Sequence, residues 1–201
     1  YGGTEQERTG FQLDGQWLKK HGVTHGTTAW DWVSAELSEK SLTPYFGPTD
    51  VELRDAGVLA VFLGYYFPWD PQVSMEVATA HGFSTDPAGP RTGYYNFADI
   101  DDDFISIHHW MKWYKFGFTR LFDNLSLEIR NGRMTREQAV KTIAEYGDQT
   151  PRSDIEQLCG YMGITTKCFY EIAETFRNRA IWQQRDGKWM IDDFIVKNWV
   201  W

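Results

Sequence analysis

Short amphipathic segments separated by glycines fill the second half of the chain and leave little choice of fold. Within these segments, apolar residues recur every three or four positions, which is the period of an α-helix with one buried face. The clearest case is the helix expected between Gly117 and about Asn131. Its predicted buried face consists of Phe118, Leu121, Phe122, Leu125 and Ile129. The pattern therefore predicts a mostly helical fold.

Capping residues indicate where the next helices begin and end. Thr135 and Gln138 form the residue pair of a capping box, so a helix is expected from there to Gly147. Ser153 and Glu156 form a second pair of this kind and predict a shorter helix. Each pair satisfies backbone N–H groups that the first turn of a helix leaves without partners, which is why the pattern marks a helix start.

The C-terminal part of the chain combines one more helix with a hairpin. A helix is expected over residues 165–176. Asp186-Gly187 lies between two apolar runs, and this dipeptide favours the tight turn of a β-hairpin. We therefore expect a helical domain over residues 84–180 and a small hairpin or tail over residues 181–201.

One apolar run departs from the helical pattern, at residues 58–67. Val58 to Leu63 is continuously apolar, which is typical of a strand buried on both faces of a parallel sheet. Asp70 and Pro71 then predict the start of a helix that runs to about residue 81. We assign residues 1–83 to the end of an α/β domain, so the expected fold is mostly α with an α/β remnant.

Aromatic residues at the end of this predicted strand are candidate ligand contacts. Ligands collect at the carboxyl ends of parallel strands, which would place Tyr65, Tyr66 and Trp69 near a binding site. Aromatic rings of this kind suit stacking on a sugar or a base. Ordinary packing at a strand end is the alternative.

The segment from His108 to Lys141 is basic in an acidic protein. It has seven lysine and arginine residues against three acidic ones, whereas the whole chain carries a net charge of −8. Such a segment predicts a site for an anionic ligand, and the alternative is a solvated basic face. Arg120, Asn124 and Glu128 follow at four-residue spacing and form a helical stripe that can face a cleft.

Composition argues against several classes of protein. An isoelectric point near 5.1 disfavours binding of bulk nucleic acid. The longest apolar run, residues 57–69, is too short to span a bilayer. Cys159 and Cys168 fit neither a metal-ligand spacing nor a disulfide framework, so we expect a reducing, cytoplasmic location.

No metal site is expected. His21 and His25 lie four residues apart, but the glycines around them disfavour the helix that would bring both to one metal ion. The acidic run over residues 99–103 lacks the spacing of an EF-hand, and Asp99 or Asp103 can instead cap the following helix.

Complete catalytic motifs are absent from the sequence. It contains no nucleophile elbow, zinc-protease motif, P-loop, dinucleotide-binding motif or paired C-x-x-C. His108 and His109 form the histidine pair of the basic segment, and at most one of two adjacent helical residues faces a given site. One of them is a candidate general acid or base, and a packed histidine is the alternative. The residues alone predict an anion-binding, α-rich domain without a visible reaction.

Two strings of residues carry a resemblance to a known family. K-F-G-F-T-R begins at Lys115, and E-I-R-N-G-R-M-T-R-E-Q-A runs from Glu128 to Ala139. Together with Y-G-G at residues 1–3 and G-Y-Y-F-P-W-D at residues 64–70, these strings resemble the C-terminal half of the N-acetyl sugar amidotransferases. Those enzymes belong to the PP-loop ATP pyrophosphatase superfamily and act in lipopolysaccharide and flagellin-sugar biosynthesis.

The resemblance implies a reaction and assigns roles within it. ATP would activate the acetamido oxygen of a nucleotide-linked sugar, and ammonia would then displace AMP to leave an acetamidino group. Lys115 and Arg120 would contact phosphate or pyrophosphate. Arg130 and Arg136 would bind the diphosphate of the nucleotide sugar or pair with Glu128 and Glu137. The candidate catalytic residues are Lys115, Arg120, His108 and His109. The candidate substrate-binding residues are Tyr65, Tyr66, Trp69, Glu128, Arg130 and Arg136.

The same resemblance implies cofactors and partners. ATP with Mg²⁺ would be held mainly by a PP-loop whose S-G-G-x-D-S motif is not among these residues. We therefore expect a catalytic half upstream, no cofactor for this chain alone and no activity from it. The expected partners are a nucleotide sugar and a glutaminase subunit, with homo-oligomerisation left open. The alternatives are a non-catalytic helical docking or oligomerisation module and an asparagine-synthetase-like PP-loop enzyme.

Overall fold

The computed structural model describes residues 13–22, 26–147, 149–197 and 199. Within them the chain is mostly helical, with ten α-helices and one two-stranded antiparallel hairpin near the C-terminus. This confirms the predicted helical fold and the hairpin. The chain divides into two compact units, Tyr1–Trp69 and Asp70–Trp201. No helix among the described residues is long and apolar enough to cross a bilayer.

The first unit contains four short helices and two 3₁₀ turns. The helices are α1 (Gly15–His21), α2 (Glu39–Leu42), α3 (Asp50–Asp55) and α4 (Leu63–Tyr66), and the 3₁₀ turns are Ala29–Trp32 and Thr43–Tyr45. Side-chain caps begin several of these elements, including a capping box of Thr49 and Glu52 at α3. None of the described residues in this unit is buried, so local hydrogen bonds rather than a core define its elements.

The buried strand predicted over residues 58–67 is wrong. Helix α4 occupies the end of that run, and Val58 and Leu63 are 53% and 68% exposed. A strand in the middle of a sheet needs partner strands on both edges for its backbone groups. Among the described residues the run receives a single backbone hydrogen bond of this kind, from Leu13 N–H to Ala60 O at 3.0 Å. Helical i to i+4 bonding then satisfies the backbone of residues 63–67 locally.

The second unit contains six helices and the hairpin. They are α5 (Pro71–Ala80), α6 (Ile105–Phe116), α7 (Arg120–Arg130), α8 (Arg136–Tyr146), α9 (Arg152–Met162), α10 (Thr166–Thr175), β1 (Trp182–Arg185) and β2 (Lys188–Ile191). Most of the predicted boundaries are confirmed. Asp70 caps α5 with Pro71 in its first turn, Gly117 ends α6 in a left-handed conformation, and Thr135 and Gln138 form the capping box of α8.

The predicted capping box of Ser153 and Glu156 is wrong. Helix α9 begins two residues earlier than this box predicts, at Arg152, with Pro151 as its N-cap. Ser153 therefore lies inside the first turn, where its side chain cannot act as the N-cap. Proline has a fixed φ near the helical value, which favours a helix start beside it. At its other end, α9 is capped by Gly163 in a left-handed conformation.

Helix α6 is the centre of the second unit. Its residues Ile107, Trp110 and Tyr114 pack against Ile155 and Cys159 of α9 and against α10. On another side of the same helix, Trp113 is 1% exposed and its ring lies edge-on to that of Trp182 on the hairpin, with centroids 5.2 Å apart. Trp182 Nε1 also donates to the carbonyl of Trp113 at 3.1 Å. Aromatic packing thus joins the helices to the hairpin.

The turn of the hairpin has the predicted chemistry. Asp186 and Gly187 both have positive φ, 48° and 75°, as a type I′ turn requires. The register pairs Trp182 with Ile191 and Arg185 with Lys188.

Candidate functional site

The polar stripe of α7, made of Arg120, Asn124 and Glu128, faces the irregular segment over residues 91–99, here called loop 91–99. Asn124 Oδ1 accepts the backbone N–H of Tyr94 at 3.0 Å. The loop approaches the helix closely at Gly93, where φ is 73° and an added Cβ would lie 2.3 Å from Asn124 Oδ1. Loop 91–99 therefore covers the stripe, at the position where the sequence pattern allows a cleft.

Glu128, at the C-terminal end of the stripe, is the centre of a hydrogen-bonded network. Tyr95 Oη donates to Glu128 Oε1 at 2.5 Å, and Arg133 Nε donates to Glu128 Oε2 at 2.8 Å. Arg133 continues to Asp70, with Nη1 to Oδ2 at 2.6 Å and Nη2 to Oδ1 at 3.0 Å. We call these four residues the Glu128 network. It connects loop 91–99, the end of α7 and the N-cap of α5.

The network fixes the charges of its members. Hydrogen bonds from Arg133, the largest cause, hold the pKa of Glu128 and that of Asp70 below their usual ranges. Burial, followed by the neighbouring Glu128 carboxylate, raises the pKa of Tyr95 far above its usual value. Two carboxylates, one guanidinium and one neutral phenol are therefore present over the whole physiological pH range.

Arg120, at the other end of the stripe, pairs with Asp99. The distance from Arg120 Nε to Asp99 Oδ2 is 3.2 Å, and the two side chains are 30% and 19% exposed. Asp99 has a φ of 59°, a left-handed conformation that few residues other than glycine adopt. The prediction that Asp99 or Asp103 caps the following helix is wrong, because Asp99 binds Arg120, Asp103 binds Arg91 and Phe104 is the N-cap of α6.

Arg120 retains hydrogen-bonding capacity. Among the described residues, the only hydrogen bond of its guanidinium is the one from Nε to Asp99. The terminal nitrogens therefore have donors for a further acceptor, and a guanidinium binds phosphate or carboxylate oxygens in a fork geometry. This cation can meet an anion while Asp99 holds its orientation.

The two histidines of the basic segment have different environments. His109 is 7% exposed, while His108 is exposed, and their ring centroids are 5.4 Å apart. Burial lowers the pKa of His109 to about 4, with Asp99 opposing the shift and Arg120 adding to it. His109 is thus neutral at physiological pH, which favours the packed histidine over a general acid.

The remaining predicted cations lie away from this contact set. Lys115 Nζ lies 5.0 Å from the ring centroid of Phe176, and Arg130 Nε donates weakly to Ser126 O at 3.4 Å. Arg136 is exposed at the first position of α8, next to Glu137. The predicted alternative of an Arg130–Glu128 pair is wrong, since Arg133 occupies that carboxylate.

Most of the basic charge is neutralised by acidic residues. Ion pairs join Lys112 to Asp123, Arg120 to Asp99, Arg133 to Glu128 and Asp70, and Lys141 to Glu145. The segment is therefore less positive in the structure than in the sequence. Arg133 and Tyr95 were missed as site residues, although the sequence contains one indication for Arg133. The turn at Gly132 brings the backbone N–H of Arg133 to the carbonyl of Glu128 at 2.9 Å.

The predicted aromatic contacts belong to the first unit. Tyr65 and Tyr66 lie on α4, with ring centroids 5.3 Å apart, and Trp69 follows at the end of the unit. All three side chains are more than half exposed.

Other predicted features fall outside the described residues or give no metal cluster. His25 of the His21–His25 pair and the Y-G-G stretch at residues 1–3 lie outside the described residues. Within the described ranges, no three histidine, cysteine, aspartate or glutamate side chains come together as ligands for a metal ion.

These features define a helical domain in which Asp99 holds one partly exposed arginine, Arg120, at one end of a polar stripe, and the Glu128 network lies at the other end. The chain matches the family described as LPS biosynthesis protein WbpG-like, C-terminal domain, over residues 91–194. The match covers more than half of the chain and includes loop 91–99, α6 to α10 and the hairpin. The protein belongs to this family, and the expected connection with lipopolysaccharide biosynthesis is confirmed. No curated protein matches the chain.

Proposed function

We propose that this chain is part of an ATP-dependent N-acetyl sugar amidotransferase of surface-polysaccharide or flagellin-sugar biosynthesis. The observation that carries the proposal is the family match over residues 91–194, which contains both strings that resemble those enzymes. The structure adds a partly exposed arginine in the first of these strings. The proposed substrate is a nucleotide-activated sugar with an acetamido group.

The proposed reaction has two steps. The acetamido oxygen attacks the α-phosphate of ATP, and pyrophosphate leaves. Ammonia then forms a bond to the amide carbon, and AMP leaves with the former amide oxygen. The product carries an acetamidino group. Negative charge accumulates on phosphate oxygens in the first step, so fixed cations are the contribution that this chain can make.

Arg120 is the best placed cation for this role. Its Nε is held by Asp99 and its terminal nitrogens retain donors, as described above. A guanidinium whose orientation is fixed before the anion binds loses less entropy on binding than a mobile one. We assign Arg120 to the pyrophosphate or α-phosphate, and Lys115 to a second phosphate contact.

Further residues receive roles in substrate binding. Arg130 and Arg136 are exposed and are assigned to the diphosphate of the nucleotide sugar, with Tyr65, Tyr66 and Trp69 stacking on the sugar or the base. Glu128 is buried and holds Arg133, which supports an indirect role through the shape of the site. The proposed cofactor is Mg²⁺–ATP, and the proposed partner is a glutaminase subunit that supplies ammonia. The proposal includes a homo-oligomer. We assign the proposed reaction to the cytoplasm.

The first experiment is an activity assay on the native polypeptide. Its intact mass and N-terminal sequence establish whether an S-G-G-x-D-S motif precedes this chain. The polypeptide is then incubated with Mg²⁺–ATP, ammonia and acetamido nucleotide sugars, and pyrophosphate and product mass are measured. Stoichiometric pyrophosphate and a mass decrease of about one unit, for replacement of oxygen by NH, are expected. A native chain without the PP-loop and without pyrophosphate release would refute the proposal.

Arg120 is tested in the same assay. Arg120→Ala should lower kcat/KM by about 10²-fold or more, the usual loss when a preorganised donor to developing charge is removed. Lys141→Ala, which removes an exposed cation of α8, should leave the rate unchanged. Asp99→Asn breaks the ion pair but keeps the guanidinium, so its loss should be smaller. A kcat/KM of Arg120→Ala equal to that of the wild type would remove Arg120 from the proposed site.

A further inference from the structure

A small polar cavity lies beside His109, where α6, the start of α7 and loop 91–99 meet. The space open to the centre of a water molecule is about 10 Å³. That is roughly the room one water-sized molecule needs. We call it the His109 cavity, and its lining residues are Thr92, Ser106, His109, Trp110, Thr119 and Gln149.

His109, one of the lining residues, has a buried polar atom without a hydrogen-bond partner in the described part of the chain. This atom is Nδ1, and His109 is 7% exposed. A buried polar atom left without a partner costs about 1–3 kcal/mol, so native proteins rarely keep one. A bound molecule in contact with Nδ1 would remove that cost.

Gln149, another lining residue, is held in one conformation by its contacts. Gln149 has a φ of 48°, and its Nε2 donates to the carbonyl of Gly93 at 3.0 Å. A left-handed conformation costs a residue with a side chain about 1–2 kcal/mol, so surrounding contacts must maintain it. The side chain is thereby fixed across loop 91–99, where it lines the cavity.

The residues that line the cavity carry no fixed charge. Charged groups of both signs act on His109 from outside the lining: Asp99 favours a positive charge on the ring, whereas Arg120 and Lys112 disfavour it. The lining itself consists of hydroxyl groups, an amide, an imidazole and an indole. These groups donate and accept hydrogen bonds without carrying charge at neutral pH.

We infer that the His109 cavity is a binding site for one neutral, water-sized molecule that hydrogen-bonds to Nδ1, either water or ammonia. Both have the size and the donor and acceptor capacity that the lining requires. The water alternative is independent of the proposed function. The ammonia alternative rests on it, because ammonia is the nitrogen donor of the proposed reaction. Methylamine is excluded by its size.

The test is NMR spectroscopy of the native polypeptide with ¹⁵N-labelled histidine. The chain has five histidines, and His109→Phe assigns the signals of His109. The Nδ1 shift should be that of a hydrogen-bonded nitrogen, with a nuclear Overhauser effect between the ring and a long-lived water. Ammonia added at alkaline pH should shift Nδ1 saturably if it shares the site, and methylamine should not. A water signal without an ammonia response assigns the site to water.

A conservative variant keeps the test independent of folding. Thr119→Val preserves side-chain shape and loses no cap, since Thr119 makes no side-chain capping hydrogen bond to α7. It should move the Nδ1 shift and shorten the residence time of the bound molecule. Thr142→Val on α8, remote from the lining, is the matched control and should change neither.

Two results would overturn the inference. One is a wild-type Nδ1 shift typical of a nitrogen without a hydrogen bond, together with no water or ammonia response. The other is a Thr119→Val spectrum identical to that of Thr142→Val. The readout does not involve turnover, so failure here is distinguishable from failure of the proposed amidotransferase reaction.

Discussion

Helix α7 is buried on two faces that are stabilised in different ways. On the apolar face, Leu121 and Leu125, each 1% exposed, pack against Ala139 and Ile143 of α8. On the polar face, the stripe that includes Glu128 binds loop 91–99 and Arg133 through hydrogen bonds and ion pairs. Apolar burial does not depend on protonation, whereas the polar contacts require specific charges.

This difference means that the two faces of α7 respond differently when a contact is lost. Packed methyl groups tolerate small changes in geometry, but a buried ion pair fails when one partner is lost. The polar face is therefore the more demanding of the two, and it is the face that ends at Arg120. The apolar face keeps α7 in place, and the polar face decides how its arginine is presented.

The largest expected effect is on the apolar face. Leu125→Ala removes buried methyl groups and leaves a cavity, which should cost about 3 kcal/mol of unfolding free energy. The loss should be the same at pH 7 and pH 5, as measured by urea denaturation followed by circular dichroism. Leu63→Ala, at a position 68% exposed, is the control and should cost less than about 0.5 kcal/mol. A strongly pH-dependent loss for Leu125→Ala would contradict the assignment.

The second effect is a pH dependence that comes from His109 on α6, which interacts electrostatically with Asp99 and with Arg120 of the polar face. The folded pKa of His109, about 4, is below its ordinary value of 6.5, so the unfolded chain binds the proton more tightly. Stability should therefore fall as the pH drops through 6.5, by about 2 kcal/mol between pH 7 and pH 5. The charged or titratable groups that act on His109 are Asp99, Arg120, His108 and Lys112.

His109→Phe isolates this effect. It removes the titrating group and should flatten the stability curve between pH 7 and pH 5. Glu128 and Asp70 have lowered pKa values, so they lose their contribution only at a lower pH, below the range of an ordinary carboxyl. An unchanged slope in His109→Phe would assign the acid sensitivity to another group.

The third effect comes from the Glu128 network. Glu128→Gln keeps the shape and a hydrogen bond for Tyr95 but removes the charge that faces Arg133. The expected cost is about 1–2 kcal/mol, lower than for a fully buried pair because the Arg133 side chain is 32% exposed. Glu145→Gln, in the exposed pair with Lys141, should cost less than about 0.5 kcal/mol. Equal costs for the two variants would mean that the network contributes no more than a surface pair.

The sequence predicts the helices well because their signals are local. Gly117 and the pair Thr135 and Gln138 act within one helical turn, so no distant contact decides them. The strand prediction for residues 58–67 was wrong because a strand depends on partner strands elsewhere in the chain. Apolar composition alone does not provide those partners. Long-range pairing is the part that periodicity leaves undetermined.

The ion-pair partner of Glu128 is a second contact that sequence periodicity does not predict. Arg130 is closer in sequence, but residues two apart on a helix point to different sides. Arg133 follows the turn at Gly132, which brings its backbone N–H to the Glu128 carbonyl and its guanidinium to the Glu128 side chain. Asp99 and Tyr95 reach the stripe only through the path of loop 91–99, for which the sequence contains no periodic pattern.

The smallest effect distinguishes a close approach from backbone strain. Gly93 and Gly132 have nearly the same φ, 73° and 71°, but only Gly93 has atoms within 4 Å of an added Cβ. Gly132→Ala should cost about 1 kcal/mol from its left-handed conformation alone. Gly93→Ala should cost about 1 kcal/mol more, because loop 91–99 must also move away from Asn124. Equal melting temperatures for the two variants would show that loop 91–99 moves away from Asn124 without a loss of stability. The polar face would then not be tightly packed at Gly93.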